Sequence, residues 1–378
     1  MLGSSPLGSL YGPKAIGLFA VLHCYVYWKI RVLFAGHMRA WTFVYFSVCA
    51  FLLGFPLMLA NELAFDPEAR YSEVIFALSV TDYVVVAMMS SYLTLADMLR
   101  ICLGLWDRRH KTDLESGISA RRAAVFSIAA VALTVIYGCF EALNVRRVDI
   151  SISSDKLPPC VERLRITQVS DVHIGGIYYT SHLERIMRIV RETEPDIFVV
   201  TGDLVDGNME WRTRESELIA SHGAKYGGFA VTGNHEYYHE LGQAISFIKQ
   251  SGLTLLENEA AAAGGITIVG LDDHMTIWPP TLEVSNDRFV LLLKHHPQVP
   301  RNAEGKFDLQ LCGHTHGGQI WLCNLAMRRV YGMPQGLSRQ SGGIVYVSNG
   351  AGFWGPPLRI FAPPEVTVFD IVRKPPNE

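Results

Sequence analysis

The longest uncharged stretch constrains this chain more than any other feature of its sequence. Residues 40–61 contain no Asp, Glu, Lys or Arg and are predominantly apolar. About 20 apolar residues in a helix are enough to cross the hydrocarbon core of a bilayer. The sequence therefore predicts that this stretch is a membrane-spanning helix.

Three further segments have a similar character. Residues 123–140 form a second strong span, whereas residues 15–28 are short for a span and residues 74–96 are interrupted by Asp82. We predict a multi-span α-helical membrane region over residues 1–145, with four helices as the best count and three or five as alternatives. The first segment does not resemble a cleavable signal peptide, because more spans follow it.

The charges of the intervening loops predict an orientation. The loop at 61–73 is mainly acidic, whereas the loop at 106–122 carries five Lys and Arg residues. Cytoplasmic loops are enriched in Lys and Arg, so the basic loop is expected in the cytoplasm and everything after the last span on the outer side. Arg146 and Arg147 directly follow that span and argue in the opposite direction. The expected location is thus a cell membrane, with multiple spans.

Composition excludes several classes of protein. With 49% hydrophobic residues the chain is not intrinsically disordered, and a net charge of -3 does not favour a nucleic-acid-binding surface. The seven cysteines form no CxxC pair, so neither a cysteine zinc site nor a redox motif is indicated. Ten of the thirteen histidines lie after residue 170, which points to chemistry in the second part of the chain.

From about residue 162 short apolar runs alternate with amphipathic stretches. Residues 164–170 and 196–202 are typical of strands, and residues 181–193 are typical of an amphipathic helix. This alternation, followed by a strand-rich half, predicts a layered α/β sandwich at 162–372, with a linker at 146–161 and a C-terminal tail at 373–378. Ligands of open α/β sheets bind beyond the strand ends.

Metal-binding residue types occur at those strand ends. They fall in five short motifs: Asp171-Val-His173, Gly202-Asp203, Gly233-Asn234-His235-Glu236, His295-His296-Pro297 and Gly313-His314-Thr315-His316-Gly317. Each motif alone is weak, but packing does not explain all five in this order, because burying so many polar groups without a metal is costly. Mixed oxygen and imidazole ligands suit Mn, Fe, Zn, Co or Ni better than Ca or a closed structural zinc site.

Together these motifs resemble the calcineurin-like metallophosphoesterase superfamily over about residues 162–372. The matching segments are DVHIGG (171–176), GDLVDG (202–207), GNHEYY (233–238), KHHP (294–297) and GHTHGGQ (313–319). The end of the chain, residues 346–371, resembles the branch with membrane-linked or exported bacterial phosphodiesterases. The apolar spans resemble those of transmembrane proteins that carry a metallophosphoesterase domain. The resemblance implies an αββα fold.

The resemblance also implies roles for individual residues. One metal ion would be held by Asp171, His173 and His316, and a second by Asn234, His295 and His314, with Asp203 bridging the two. His235 matches the catalytic histidine of the family. His295 is preferred to His296 as a ligand because it occupies the His-x-Pro position.

The implied function is that of a membrane-anchored phosphoesterase with two divalent cations, such as Mn, Zn or Fe. A metal-bridging hydroxide would attack a phosphodiester or pyrophosphate bond without a covalent enzyme intermediate. The membrane region favours a lipid-linked or envelope substrate, so the expected partners are the bilayer and a phosphate ester, with no nucleic acid. The alternatives are a phosphomonoesterase with a soluble substrate and a non-catalytic membrane scaffold or sensor.

Several polar residues near the motifs have two interpretations. Asp206 is interpreted as a turn residue rather than a ligand, and Glu236 as either a helix-start carboxylate or part of the substrate site. Arg359 is equally compatible with phosphate binding and with a surface ion pair. Three residues that follow a predicted strand are candidates for lining the pocket: Asp272, Asp273 and His274.

Overall fold

The computed structural model describes residues 13–60, 70–112, 118–175, 179–238, 240–285, 287–340 and 342–374. The chain divides into two compact units, Met1–Tyr137 and Gly138–Glu378. They are called here the N-terminal unit and the C-terminal unit.

The N-terminal unit is helical. Its helices are α1 (Pro13–Ile30), α2 (Met38–Ala60) and α3 (Arg70–His110), with a 3₁₀ segment at Arg31–His37; α4 (Ala120–Leu143) continues into the C-terminal unit. Within the described ranges, three helical stretches are long and apolar enough to cross a membrane: Ile16–Phe34, Leu78–His110 and Ala120–Leu143.

Three of the predicted spans therefore coincide with helices that could cross a bilayer. The fourth, at residues 40–61, falls on α2 but ends at residue 61, which lies outside the described residues. The acidic residues of these segments have partners within the unit: Asp82 Oδ2 lies 2.9 Å from His23 Nε2, and Asp97 forms an ion pair with Lys29. This pairing reduces the cost of placing carboxylates among apolar helices.

The C-terminal unit contains two six-stranded sheets. The first has the order β1-β12-β2-β3-β4-β5 and the second β10-β11-β9-β8-β7-β6. The strands are β1 (Arg146–Ser154), β2 (Arg163–Val169), β3 (Ile197–Thr201), β4 (Gly228–Val231), β5 (Leu253–Leu255), β6 (Glu259–Ala263), β7 (Ile266–Gly270), β8 (Val290–Leu293), β9 (Leu309–Cys312), β10 (Gly336–Gln340), β11 (Gly343–Val347) and β12 (Glu365–Arg373). Strands β2 to β5 are parallel to one another, as are β7, β8, β9 and β11.

The two sheets pack face to face, as their sequences require. Strands such as β3 and β8 are buried at every position, which explains why their residues are apolar apart from Thr201 at the end of β3. Side chains of both sheets form one core, which includes Ile166, Val199, Leu291 and Leu311. The predicted layered α/β sandwich is thus confirmed.

Helices cover the outer face of the first sheet. They are α5 (Tyr179–Glu192), α6 (Thr213–Ala220), α7 (Asn234–Tyr238) and α8 (Leu241–Gln250), and a fifth helix, α9 (Trp321–Tyr331), follows β9. In α5 the residues Leu183, Ile186 and Val190 are buried at helical spacing and pack into the core beneath the sheet. On the second sheet the outer face packs instead against apolar residues of connecting segments, including Trp278 and Phe307.

One element lies where the sequence predicts a linker. Residues 146–154 form β1, which pairs in parallel with β12 along its whole length. It is a half-exposed edge strand in which Asp149 and Ser151 alternate with Val148, Ile150 and Ile152. The polar positions dilute the apolar signal, so the strand is difficult to recognise from sequence.

Candidate metal centre

The five sequence motifs meet at one end of the two sheets. Each follows the carboxyl end of a parallel strand: Asp171 follows β2, Asp203 follows β3, Asn234 follows β4, His295 follows β8 and His314 follows β9. Because the carboxyl ends of parallel strands lie at the same edge, residues distant in sequence converge there. The position expected from the strand pattern is the one observed.

The backbone at this edge turns sharply. Five site residues have positive φ angles: Asp171 (53°), His173 (55°), Asp203 (49°), His314 (68°) and His316 (50°). Positive φ is uncommon outside glycine, and backbone strain of this type concentrates at functional sites. At this edge the positive φ angles direct the polar side chains of neighbouring loops toward one another.

One group of possible ligand atoms comprises Asp171, His173, Asp203 and His316, all within 4.8 Å of one another. The Nε2 atoms of His173 and His316 are 3.0 Å apart, and His316 Nε2 lies 3.3 Å from Asp171 Oδ1. His173 Nε2 is also 3.8 Å from Asp203 Oδ2. These atoms are close enough to bind a single ion.

A second group comprises Asp203, His295 and His314. His295 Nε2 lies 3.1 Å from Asp203 Oδ2 and 3.3 Å from His314 Nδ1. The other ring nitrogen of His295 donates a hydrogen bond of 2.8 Å to the Thr201 carbonyl, which fixes the ring with Nε2 toward the cluster. Asn234 joins this group, because its Oδ1 is 2.9 Å from His314 Nδ1. Asp203 belongs to both groups.

The electrostatics of three of these side chains suit cation binding. Burial lowers the pKa of His314 and of His316 well below the usual value, so both rings are neutral, which is the form that binds metals. Burial alone would raise the pKa of Asp203, but the nearby His295 and His235 lower it well below its usual range. The shared carboxylate is therefore ionised.

A buried, unpaired oxygen independently indicates a cation-binding site. Asp171 is fully buried, and among the described residues its Oδ2 has no hydrogen-bond partner. A buried polar atom in that state costs about 1–3 kcal/mol. A divalent cation beside Asp171 would satisfy it, and the surrounding oxygen and imidazole donors match the preferences of Mn, Fe and Zn. The residues present thus fit divalent metal ions.

His235 lies beside both groups. Its ring centroid is 4.5 Å from that of His173, and its Nδ1 donates a 2.9 Å hydrogen bond to Asp206 Oδ1. Burial alone would lower the pKa of His235, but the carboxylates of Asp206 and Asp203 raise it to about 9. At neutral pH the ring is therefore protonated and can act as an acid.

Asp206 has a larger role than that of a turn residue. Besides holding His235, its Oδ2 lies 3.5 Å from His173 Nδ1, and the three side chains form a third group of possible ligand atoms. The available sequence signal was its position three residues after Asp203, in the same loop.

Glu236 organises the loops around the cluster. Its carboxylate is fully buried and accepts four backbone hydrogen bonds, from Asp203 (3.0 Å), Leu204 (2.7 Å), Val205 (3.1 Å) and Gly233 (2.6 Å). Neither sequence interpretation anticipated this role. Gly233 belongs to the same motif as Glu236, whereas Asp203, Leu204 and Val205 belong to an earlier motif that is distant in sequence. Only the fold brings both sets of donors to one carboxylate.

The structure also separates His295 from its neighbour. His295 is fully buried against Asp203, whereas His296 is hydrogen-bonded to Asp273, and its ring is tilted against that of His314 at a centroid distance of 3.9 Å. Of the other proposed pocket residues, Asp272 accepts a hydrogen bond from Tyr237, and His274 is exposed.

Arg359 fits neither of its two sequence interpretations. The side chain is fully buried, and its guanidinium donates to the carbonyls of Gly352 (2.8 Å), Ala362 (2.9 Å) and His316 (3.1 Å). It therefore supports the loop that carries His316. The sequence also gave no indication of Tyr331, whose Oη lies 2.6 Å from His314 Nε2.

Comparisons with known proteins agree with this geometry. The family model for calcineurin-like phosphoesterases matches residues 164–318, a range that includes every motif from Asp171 to His316. The chain is 34% identical to an uncharacterized metallophosphoesterase of Aquifex aeolicus over 251 residues, which cover 63% of this chain and 96% of that protein. It is 30% identical to an uncharacterized metallophosphoesterase of Campylobacter jejuni over 320 residues, covering 79% and 83% of the two chains. A Danio rerio protein described as a transmembrane protein with metallophosphoesterase domain is 28% identical over 270 residues, covering 65% and 62%.

Proposed function

Because the chain belongs to the calcineurin-like metallophosphoesterases, we propose that it is a membrane-anchored hydrolase of phosphoric esters that uses two divalent metal ions. One observation carries the proposal: two groups of buried ligand atoms share the Asp203 carboxylate. A shared carboxylate is the arrangement that holds two cations at the short separation used in two-metal hydrolysis.

The ligand roles follow from the two groups. Asp203 would be shared by the two ions, and each ion would take three further residues from its own group. The first ion would be held by Asp171, His173 and His316, and the second by Asn234, His295 and His314.

The chemistry divides between the ions and the protein. When bound, the two ions supply a water of lowered pKa and offset the negative charge of the phosphoryl group. His235, protonated and held by Asp206, donates a proton or hydrogen bond to the oxygen that leaves phosphorus. Glu236 and Arg359 keep the loops in place while the charge redistributes. The phosphorus is attacked in line, and no side chain forms a covalent bond to it.

We further propose that the bond cleaved is a phosphodiester or a pyrophosphate, in a lipid-linked or envelope substrate. The three candidate membrane helices support this proposal, and only residues 144 and 145 separate α4 from β1. The basic charges around Arg108, Arg109 and Arg121 favour a multi-pass protein with the C-terminal unit on the outer side.

The proposal is tested with the full chain in lipid nanodiscs containing added Mn²⁺. Hydrolysis of an aryl phosphodiester, faster than that of the corresponding monoester and abolished by a chelator, is the expected result. Preference for the monoester would replace the diester assignment with that of a monoesterase. No hydrolysis of either ester, despite bound metal, would support a scaffold or sensor instead.

A further inference from the structure

The end of α4 packs against a loop of the C-terminal unit. The carbonyl of Gly138 accepts a 3.0 Å hydrogen bond from the backbone of Arg359. A Cβ atom at Gly138 would lie 2.5 Å from Leu358 Cδ1 and 3.1 Å from the Arg359 carbonyl oxygen, so helix and loop are in close contact. The loop at 358–361 is therefore attached to the last turns of a helix that is apolar enough to cross a membrane.

The same loop is bonded to the metal centre. The Arg359 guanidinium donates to the His316 carbonyl, and the backbone of Ile360 donates to the Gln319 carbonyl at 2.9 Å. One set of contacts thus connects α4, loop 358–361 and the segment that carries His316. It follows that this side of the metal centre lies next to the end of α4.

Helix α9 flanks the same side. It begins directly after Ile320, which forms a β-bridge with Ile360, and it ends at Tyr331, which contacts His314. The end of α9 therefore reaches the candidate ligands, and its start lies next to loop 358–361. The exposed residues of α9 and of this loop form the surface on this side of the metal centre.

That surface is both apolar and basic. Phe361 is 68% exposed, Leu325 60% and Val330 67%, and Arg328 and Arg329 are exposed beside them on α9. Leu325 lies three and four residues before the two arginines, so all three share the outward face of the helix. Phe361 also has a strained backbone, with φ at 51°. These five residues are called the rim.

We infer that the rim rests on the surface of a bilayer that contains anionic lipid, and that it admits to the metal centre a phosphoester whose hydrocarbon chain stays in the bilayer. The inference rests on the proposed function and adds the surface by which a lipid-linked substrate reaches the metal centre. Exposed apolar residues beside arginines are typical of protein surfaces that lie in a membrane interface. Anionic headgroups attract such arginines, and the attachment of loop 358–361 to α4 places the rim near them.

A pair of chromogenic diesters separates the rim from the chemistry. The full chain in phosphatidylcholine nanodiscs with phosphatidylglycerol is assayed with 4-nitrophenyl methyl phosphate and with 4-nitrophenyl hexadecyl phosphate. The reacting group is the same in both, and only the second has a chain that enters the bilayer. We expect a kcat/KM at least about 10-fold higher for the hexadecyl ester, because the bilayer presents it at the rim.

Two variants of the rim should remove that preference. The double variant Arg328→Gln, Arg329→Gln should lower kcat/KM for the hexadecyl ester about 10-fold and leave the methyl ester unchanged. Phe361→Gly should act in the same direction without lowering the thermal midpoint, since glycine relieves the positive φ. The matched control is Arg188→Gln, Arg191→Gln on α5, which removes two exposed arginines elsewhere and should change neither rate.

Hydrogen exchange tests the rim without any turnover. Amides of residues 321–331 should exchange more slowly in nanodiscs with phosphatidylglycerol than in pure phosphatidylcholine, and the rim variants should abolish the difference. Equal exchange in the two lipids would overturn the inference, as would equal effects of the rim variants on both esters. Slowed exchange without hydrolysis of either ester would instead support membrane contact by the rim and refute the proposed function.

Discussion

At the scale of single residues, Glu236 shows how a side chain can be essential without contacting substrate. Its carboxylate accepts four backbone hydrogen bonds from the loops that carry Asp203 and Asn234. An ionised carboxyl group accepts bonds at both oxygens, whereas an amide offers one oxygen and directs its NH₂ at the remaining donors. The charge state of this residue therefore determines how the loops are held.

We expect Glu236→Gln to destabilise the protein by roughly 2–4 kcal/mol, because it leaves buried N–H groups without acceptors. Thermal unfolding of the purified chain measures the loss. Glu240→Gln, at an exposed position between α7 and α8, is the control and should be nearly neutral. A Glu236→Gln protein as stable as the wild type would show that the four hydrogen bonds are unimportant.

His235 is the residue to which we assign proton donation. We expect His235→Ala to lower kcat about 10²–10⁴-fold, the usual contribution of a general acid, while both metal ions remain bound. Steady-state kinetics and metal analysis on the same preparation check the two statements together. Unchanged turnover, or loss of metal in proportion to loss of rate, would remove this assignment.

At the scale of secondary-structure elements, the site depends on how closely the strand ends approach. Gly202 has φ at 83°, and a Cβ atom there would lie 2.7 Å from His295 Nδ1 and from the Gly233 backbone nitrogen. No other residue can connect β3 to the Asp203 loop without displacing the motifs that follow β4 and β8. The glycine therefore sets the distance between ligands from the two sheets.

This steric requirement can be separated from backbone strain. We expect Gly202→Ala to lose metal affinity and activity at least about 10-fold, because His295 must move, whereas Gly227→Ala should retain both. Gly227 has a similar φ of 94° but no atom within 4 Å of the added Cβ, so its substitution carries only the conformational cost. Equal metal affinity of the two variants in a zinc or manganese titration would contradict this account.

Much of the architecture is predictable at this scale, and the exceptions have physical reasons. Buried strands such as β3 and β8 stand out because nearly all their residues are apolar, and the motif residues after them can be placed at one sheet edge. Strand β1 is not recognisable in the sequence because it is half exposed. The contacts of Glu236 and Tyr331 cannot be predicted from sequence either, because they join residues that only the fold brings together. Arg359 was misread because a buried arginine bonded to carbonyls is rare.

At the scale of the whole molecule, the high apolar content and the histidine-rich motifs belong to different parts of the chain. Within the described residues, the N-terminal unit and α4 contain three helices apolar enough to cross a membrane, and the candidate ligands lie in the C-terminal unit. The sequence alone identifies both the apolar helices and the metal-binding motifs, because each is a pattern of residues close together in the chain. It does not assign the contacts of Arg359, which link α4 to the His316 segment through the fold.

The central claim is that Asp203 bridges two metal ions that together hydrolyse a phosphoric ester. Metal content per chain, measured by elemental mass spectrometry alongside turnover in wild type and Asp203→Asn, tests it most directly. Asp203→Asn keeps the shape of the side chain but removes its charge, so we expect two ions per wild-type chain, at most one in the variant, and loss of nearly all turnover. A wild-type enzyme fully active with a single ion, or an Asp203→Asn variant that keeps two ions and full turnover, would contradict it.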